Sequence, residues 1–86
     1  MANLQAAWRT QQQIDAEREA QAWASLRAER NRRLAETDWI MLPDAPVPPG
    51  TTREQWAAYR RALRDVPQQP GAPWDVTWPE PPVSEG

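Results

Sequence analysis

The spacing of apolar side chains predicts two helices joined by a proline-rich loop. The shorter, second helix has the clearer pattern, because aromatic and aliphatic residues recur on one side at helical spacing while most charges face elsewhere. Three arginines and a glutamate should face the other sides: Arg53, Glu54, Arg61 and Arg64. The side with the apolar residues carries Trp56, Tyr59, Arg60, Leu63 and Val66. This pattern predicts a one-faced amphipathic helix.

Local signals at both ends set the limits of the second helix. Thr52 followed by Gln55, or Thr51 followed by Glu54, can form a reciprocal side-chain cap at a helix start. The helix should therefore begin near residue 53. Pro67 removes a backbone donor and disfavours helical geometry in the residue before it. The helix should therefore end at about residue 65.

The first predicted helix extends from Asn3, which can act as N-cap, to about Glu36. This stretch contains no proline or glycine and is rich in strong helix formers, so it should form one rod of roughly 50 Å. Its apolar stripe is sparse and interrupted, and heptad counting fails, so a regular coiled coil is the less favoured interpretation. The stripe consists of Leu4, Trp8, Ala22, Trp23, Leu26 and Leu34.

Two interpretations of this stripe stay open. Aromatic side chains are enriched at contact surfaces, which favours a partner-binding or self-association arm. Its candidate contact residues are Leu4, Trp8, Trp23 and Leu26. Alternatively, the helix is solvated and its tryptophans dock back on the C-terminal part of the chain.

Residues 37–50 are predicted not to be helical, because four prolines fix extended geometry there. They contain the densest apolar run of the chain, residues 39–42, of which two or three should pack against the second helix. Asp38 and Asp44 flank this run. They have no histidine or metal motif nearby, so turn-forming roles are favoured over acid–base chemistry.

The C-terminal part should fold back onto the second helix. Pro70 and Gly71 signal a turn, after which Trp74, Val76 and Trp78 alternate with polar residues. An extended segment of this kind can close a small core. The predicted core residues are Trp39, Leu42, Trp56, Tyr59, Leu63, Trp74 and Trp78. The proline-rich residues 78–82 are alternatively a ligand for a partner's aromatic groove.

The resulting expectation is a mainly α chain with few or no strands. A long helical arm occupies residues 1–36, a compact tryptophan and proline mini-domain occupies residues 37–79, and a tail occupies residues 80–86. The chain has 86 residues, so its core can be only modest. No uninterrupted apolar run is long enough to span a membrane, and no secretion leader is expected.

The amino-acid composition limits the kinds of active site and partner that the chain can have. The chain has no cysteine and no histidine, which excludes disulfides, the usual zinc ligand sets and the common nucleophile–base pairs. We therefore expect no enzyme, no catalytic residue, no cofactor and no metal. The net charge is −2, which does not favour a nucleic acid partner. The alternative is a small regulatory or nucleic-acid-binding peptide that uses the arginines between Arg27 and Arg33.

Three phrases of the sequence resemble a known module. They are LAETDWIMLPDAP at residues 34–46, EQWAAYRRALRDVPQQPG at residues 54–71 and VTWPEPP at residues 76–82. Their order is similar to that in the phage tail assembly chaperone domain. The resemblance covers residues 30–82 and offers no catalytic residues to carry over. It leaves residues 1–29 outside as the place where a specific partner is encoded.

This resemblance implies a bacteriophage protein that acts through protein–protein contacts in tail or tail-fibre assembly. The implied partners are other tail or tail-fibre proteins, with a homo-oligomer as an open alternative. The implied location is the host cytoplasm during assembly. The chain is either released afterwards or retained as a minor structural part of the virion tail, fibre or baseplate.

Overall fold

The computed structural model describes residues 10–83. Helix α1 spans Gln11–Thr37 and is followed directly by a first 3₁₀ turn, Asp38–Met41. Helix α2 spans Arg53–Asp65 and leads into a second 3₁₀ turn, Val66–Gln68. Within residues 10–83 there is no strand. The mainly helical fold class predicted from the sequence is confirmed.

Helix α1 begins at a capping box that the sequence analysis overlooked. The Thr10 hydroxyl accepts a hydrogen bond from the Gln13 backbone N–H (3.1 Å), and the Gln13 side-chain oxygen accepts one from the Thr10 N–H (2.9 Å). The Thr10 backbone is extended, with φ −68° and ψ 158°. The prediction of one unbroken helix from Asn3 is therefore wrong at Thr10, and Asn3 itself lies outside the described residues.

Helix α2 has the limits that were predicted. Of the two candidate caps, Thr52 with Gln55 is the one formed, and both of its reciprocal hydrogen bonds are present (3.1 and 2.8 Å). The Thr51 hydroxyl instead donates to the Pro48 carbonyl (2.6 Å) and accepts from the indole N–H of Trp56 (2.8 Å). Thr51 therefore ties the proline-rich loop to the first turn of α2.

A small apolar core lies between α2, the first 3₁₀ turn and the C-terminal half of α1. Trp56 and Tyr59 meet edge to face, with ring centroids 5.9 Å apart, an arrangement that aromatic pairs prefer. The buried members of the cluster are Ile40, Trp56, Tyr59 and Leu63, and half-buried residues packed against them are Leu34, Met41, Val47 and Trp78. Burying one such side chain stabilises the fold by about 1.5–3 kcal/mol.

Three of the predicted core residues lie at the surface. Trp39, Leu42 and Trp74 are 47, 59 and 65% exposed, so their assignment to the core was wrong. The first 3₁₀ turn explains the first two, because positions three apart eclipse in a 3₁₀ helix and face the same way. When that turn places Ile40 inward, it leaves Trp39 and Leu42 outside.

Trp74 is exposed because it belongs to a tight turn and precedes the extended segment. The N–H groups of Trp74 and Asp75 both donate to the Gly71 carbonyl (3.0 and 2.8 Å). A Cβ at Gly71 would lie 2.3 Å from the Asp75 carbonyl oxygen, so glycine is required there. The Ala72–Pro73 peptide bond within the turn is cis.

The C-terminal segment packs back on the helices, as the fold prediction requires. The Gln69 side-chain amide pairs with the backbone of Thr77 in both directions, donating to its carbonyl and accepting from its N–H (both 2.8 Å). The next residue, Trp78, packs against the core, and its ring lies 4.5 Å from the Arg33 guanidinium carbon of α1. This cation–π contact joins the segment to the first helix.

Arg53 braces the loop that precedes α2. Its guanidinium donates to the carbonyl oxygens of Ile40 (3.0 Å), Leu42 (3.1 Å) and Ala45 (3.2 Å). Arg53 was expected to face elsewhere than the apolar side of α2, yet it contacts the loop that includes the buried Ile40. The backbone of the loop is fixed by a charged donor even though the loop has little regular structure.

Arg60 likewise donates hydrogen bonds to the C-terminal end of α1. Its guanidinium donates to the Leu34 carbonyl, to the Thr37 hydroxyl and to the Asp38 carboxylate, each at 2.7 Å. Helix C-termini leave carbonyl groups without intrahelical partners, and Arg60 satisfies one of them. Asp38, expected to stabilise a turn through its own backbone, forms an ion pair with Arg60 instead.

Candidate interaction surfaces

We call residues 38–83 the folded module, and the N-terminal half of α1 projects from it. We call residues 11–21 the projecting segment: all of them are exposed except Ile14, which is half-buried. Its surface is polar and mostly acidic, with Asp15, Glu17 and Glu19 against a single arginine. The Gln11 side chain donates to the Asp15 carboxylate (2.8 Å), a pairing one turn apart that supports the helix.

The C-terminal half of α1, residues 22–37, is docked on the module. Ala22 and Trp23 are half-buried, and Leu26 is only 5% exposed. Leu26 was predicted to bind a partner, but it is already covered within the chain, so that assignment is corrected. Trp23 offers only part of its side chain. The other two predicted contact residues, Leu4 and Trp8, lie outside the described residues.

Two of the four arginines between residues 27 and 33 of α1 are paired with neighbouring carboxylates. The Glu29 carboxylate accepts hydrogen bonds from Arg32 (2.6 Å) and Arg33 (2.7 Å), and Arg32 also pairs with Glu36. These hydrogen bonds, from Arg32 first and then Arg33, lower the pKa of Glu29 to about 2. Two guanidinium groups of the cluster are thus paired with carboxylates before any partner arrives.

Two exposed apolar side chains lie three residues apart at the end of the first 3₁₀ turn. Trp39 lies on that turn and Leu42 directly follows it. Asp44 follows on the same loop; it is exposed and has no ion pair with any residue between 10 and 83. We call this feature the Trp39/Leu42 pair. Sequence reasoning had placed both residues inside, because an apolar run alone does not show which members face outward.

Metal-ligating clusters and pockets are both lacking in the described part of the chain. No group of three or more histidine, cysteine, aspartate or glutamate side chains converges there, and no pocket is found among residues 10–83. Neither helix of this part is long and apolar enough to cross a bilayer. What the surface presents is a polar helix, a paired arginine cluster and exposed apolar side chains.

Comparison with protein families decides the assignment. The model of a family described as phage tail assembly chaperone protein matches residues 23–83, more than two thirds of the chain. The chain belongs to the phage tail assembly chaperone family. The resemblance noted in the sequence is thereby confirmed. Searches of curated proteins and of solved structures gave no match.

The family match extends further toward the N-terminus than the motifs indicated. It begins at Trp23 instead of near residue 30, and Trp23 lies one residue into the docked half of α1. The region matched by the family therefore includes the part of α1 that packs on α2, along with Trp23 and Leu26. The projecting segment lies before the match. Membership associates the chain with bacteriophage tail assembly.

Proposed function

We propose that this tail assembly chaperone acts through protein–protein contacts with other tail or tail-fibre proteins. The observation that carries the proposal is the continuity of α1, which extends from the folded module into the projecting segment without a break. An uncovered helix that is held at one end is suited to contact another protein. In this proposal Leu4, Trp8 and the exposed part of Trp23 contribute to the contact, and the compact module orients it.

We propose that the chain performs no catalytic step, binds no cofactor and does not attach to a membrane. Support comes from the lack of histidine and cysteine in the sequence and from an exposed surface made of polar and apolar contact groups. The site of action is then the host cytoplasm, where tail parts assemble. Mass spectrometry of purified particles separates a transient helper from a retained component: copies in mature virions indicate retention, and their absence indicates release.

A paired substitution tests the contact. Ala20 lies on the projecting segment and Ala62 on α2, and both are exposed helical alanines. We expect Ala20→Arg, like Trp8→Ala, to reduce co-purification with tail proteins expressed from neighbouring genes, whereas Ala62→Arg leaves it unchanged. All three variants should keep the wild-type melting temperature. Equal co-purification by Ala20→Arg and Ala62→Arg would refute a role for the projecting segment.

We also propose that nucleic acid is not the partner. Arg32 and Arg33 share the Glu29 carboxylate, and neutralised guanidinium groups contribute little to phosphate binding. Binding to duplex DNA at about 50 mM salt is the test, since phosphate contacts weaken linearly with the logarithm of salt concentration. Salt-dependent binding that is lost on Arg32→Gln would revive the nucleic acid alternative.

A further inference from the structure

The backbone that carries the Trp39/Leu42 pair is hydrogen-bonded to α2. The residue between them that faces inward, Ile40, is fully buried, and Arg53 fixes the carbonyl oxygens of Ile40, Leu42 and Ala45. A large apolar side chain in water is unfavourable by itself, and here the backbone that exposes it is pinned by three charge-assisted hydrogen bonds. A preorganised apolar anchor binds a partner with little loss of conformational freedom.

The charges beside this pair that face solvent are negative. Residues 34–52 contain three acidic residues and no basic one. The Asp38 side chain is 64% exposed, while that of its partner Arg60 is only 14% exposed, so the outward end of this ion pair is the carboxylate. Asp44 adds a second exposed carboxylate. The Arg53 guanidinium is turned onto backbone carbonyls. A partner that carries positive charge is therefore attracted to this surface.

We propose that the Trp39/Leu42 pair is a docking surface for a peptide segment of another tail protein that carries a large apolar side chain next to a lysine or arginine. The apolar side chain packs against Leu42 and the Trp39 ring, and the basic group faces Asp44. An arginine can also stack on the indole face, as Arg33 does on Trp78 within this chain. The proposal deepens the contact function above but uses a surface separate from the projecting segment.

Selection of a random linear peptide library against the immobilised full-length chain tests this surface. We expect the enriched peptides to combine an aromatic or aliphatic residue with an adjacent basic one. Their affinity should fall about tenfold or more on Trp39→Ser, a change that corresponds to about 1.4 kcal/mol. Trp74→Ser is the matched control, because Trp74 is also an exposed tryptophan, at 65% against 47% for Trp39, but lies in a different turn, and it should leave binding unchanged.

Charge reversal provides the second arm. Asp44→Lys removes the attractive carboxylate without touching a described hydrogen bond, so the library should then enrich acidic in place of basic residues. The proposal is overturned if no peptide is enriched, if the enriched peptides lack basic residues, or if Trp74→Ser weakens binding more than Trp39→Ser. Co-purification with tail proteins is measured on the wild-type chain in parallel. If it is found and is reduced by Ala20→Arg while no peptide is enriched, only the docking surface is refuted.

Discussion

Replacing Arg60 with methionine tests whether one guanidinium holds the two helices together. The side chain of Arg60 is mostly buried and donates to the Leu34 carbonyl, the Thr37 hydroxyl and the Asp38 carboxylate. Methionine keeps the length and apolar packing of the side chain but offers no donor. The Leu34 carbonyl at the end of α1 would then lose the charged donor that it has from α2.

The expected loss follows from these contacts. A hydrogen bond to a charged group contributes about 1.5–3 kcal/mol net, but three bonds from one group are not additive, so we expect about 3 kcal/mol in total. A chain of this length has a free energy of unfolding of about 4–13 kcal/mol. A loss of 3 kcal/mol therefore lowers the melting temperature by roughly 12–24 °C.

Urea denaturation monitored by tryptophan fluorescence, together with thermal melts, measures the effect. Arg61→Met is the matched control, because Arg61 is exposed on the same helix and has no partner among residues 10–83; its effect should stay within about 0.5 kcal/mol. Asp38→Asn removes only the exposed ion pair and should cost at most about 1 kcal/mol. The reasoning fails if Arg60→Met is no worse than Arg61→Met, or if Asp38→Asn alone reproduces the whole loss.

Other substitutions test the core, the turn and the charge cluster. Trp56→Ala should lower the free energy of unfolding by about 3–5 kcal/mol in urea denaturation. Trp39→Ala, at an exposed position, should change this free energy by less than about 1 kcal/mol. Equal losses would contradict the burial described here. Gly71→Ala should lower the melting temperature by an amount equivalent to about 1–3 kcal/mol, because the added Cβ meets the Asp75 carbonyl, and an unchanged melt would count against the turn. Glu29→Gln should melt below the wild type at pH values above 4.5, the ordinary pKa. This difference should disappear as the pH falls through about 2, where the wild-type carboxylate becomes protonated; a difference that does not depend on pH would refute the ion-pair explanation.

Features that depend on local sequence were predictable. Both limits of α2 follow from the Thr52–Gln55 cap and from Pro67, because each acts through its immediate backbone neighbours. The start of α1 could have been found in the same way, since Thr10 and Gln13 repeat the same spacing. It was missed because helix-forming composition continues upstream of Thr10, and composition does not mark where a helix begins.

Features that depend on tertiary contacts were not predictable from the pattern. The helical pattern groups Arg53 with the charges that face elsewhere than the apolar side, and it cannot show that three loop carbonyls converge on its guanidinium. Likewise, the apolar run at residues 39–42 does not indicate its 3₁₀ geometry, which decides that Ile40 is buried while Trp39 is exposed. Leu26 looked available for a partner because the sparse apolar pattern of α1 does not show that this position becomes buried within the chain.

The continuity of α1 has a geometric consequence for any assembly that this protein enters. From Gln11 to Thr37 the helix contains neither glycine nor proline, so its two ends are joined by one unbroken helix. Each residue adds 1.5 Å to the length of the helix and about 100° of rotation about its axis. A partner that binds the N-terminal end of α1 would therefore fix both the distance and the rotational orientation of the module. Inserting a single residue at the middle of α1 would rotate the module by about 100° about the helix axis and move it by 1.5 Å.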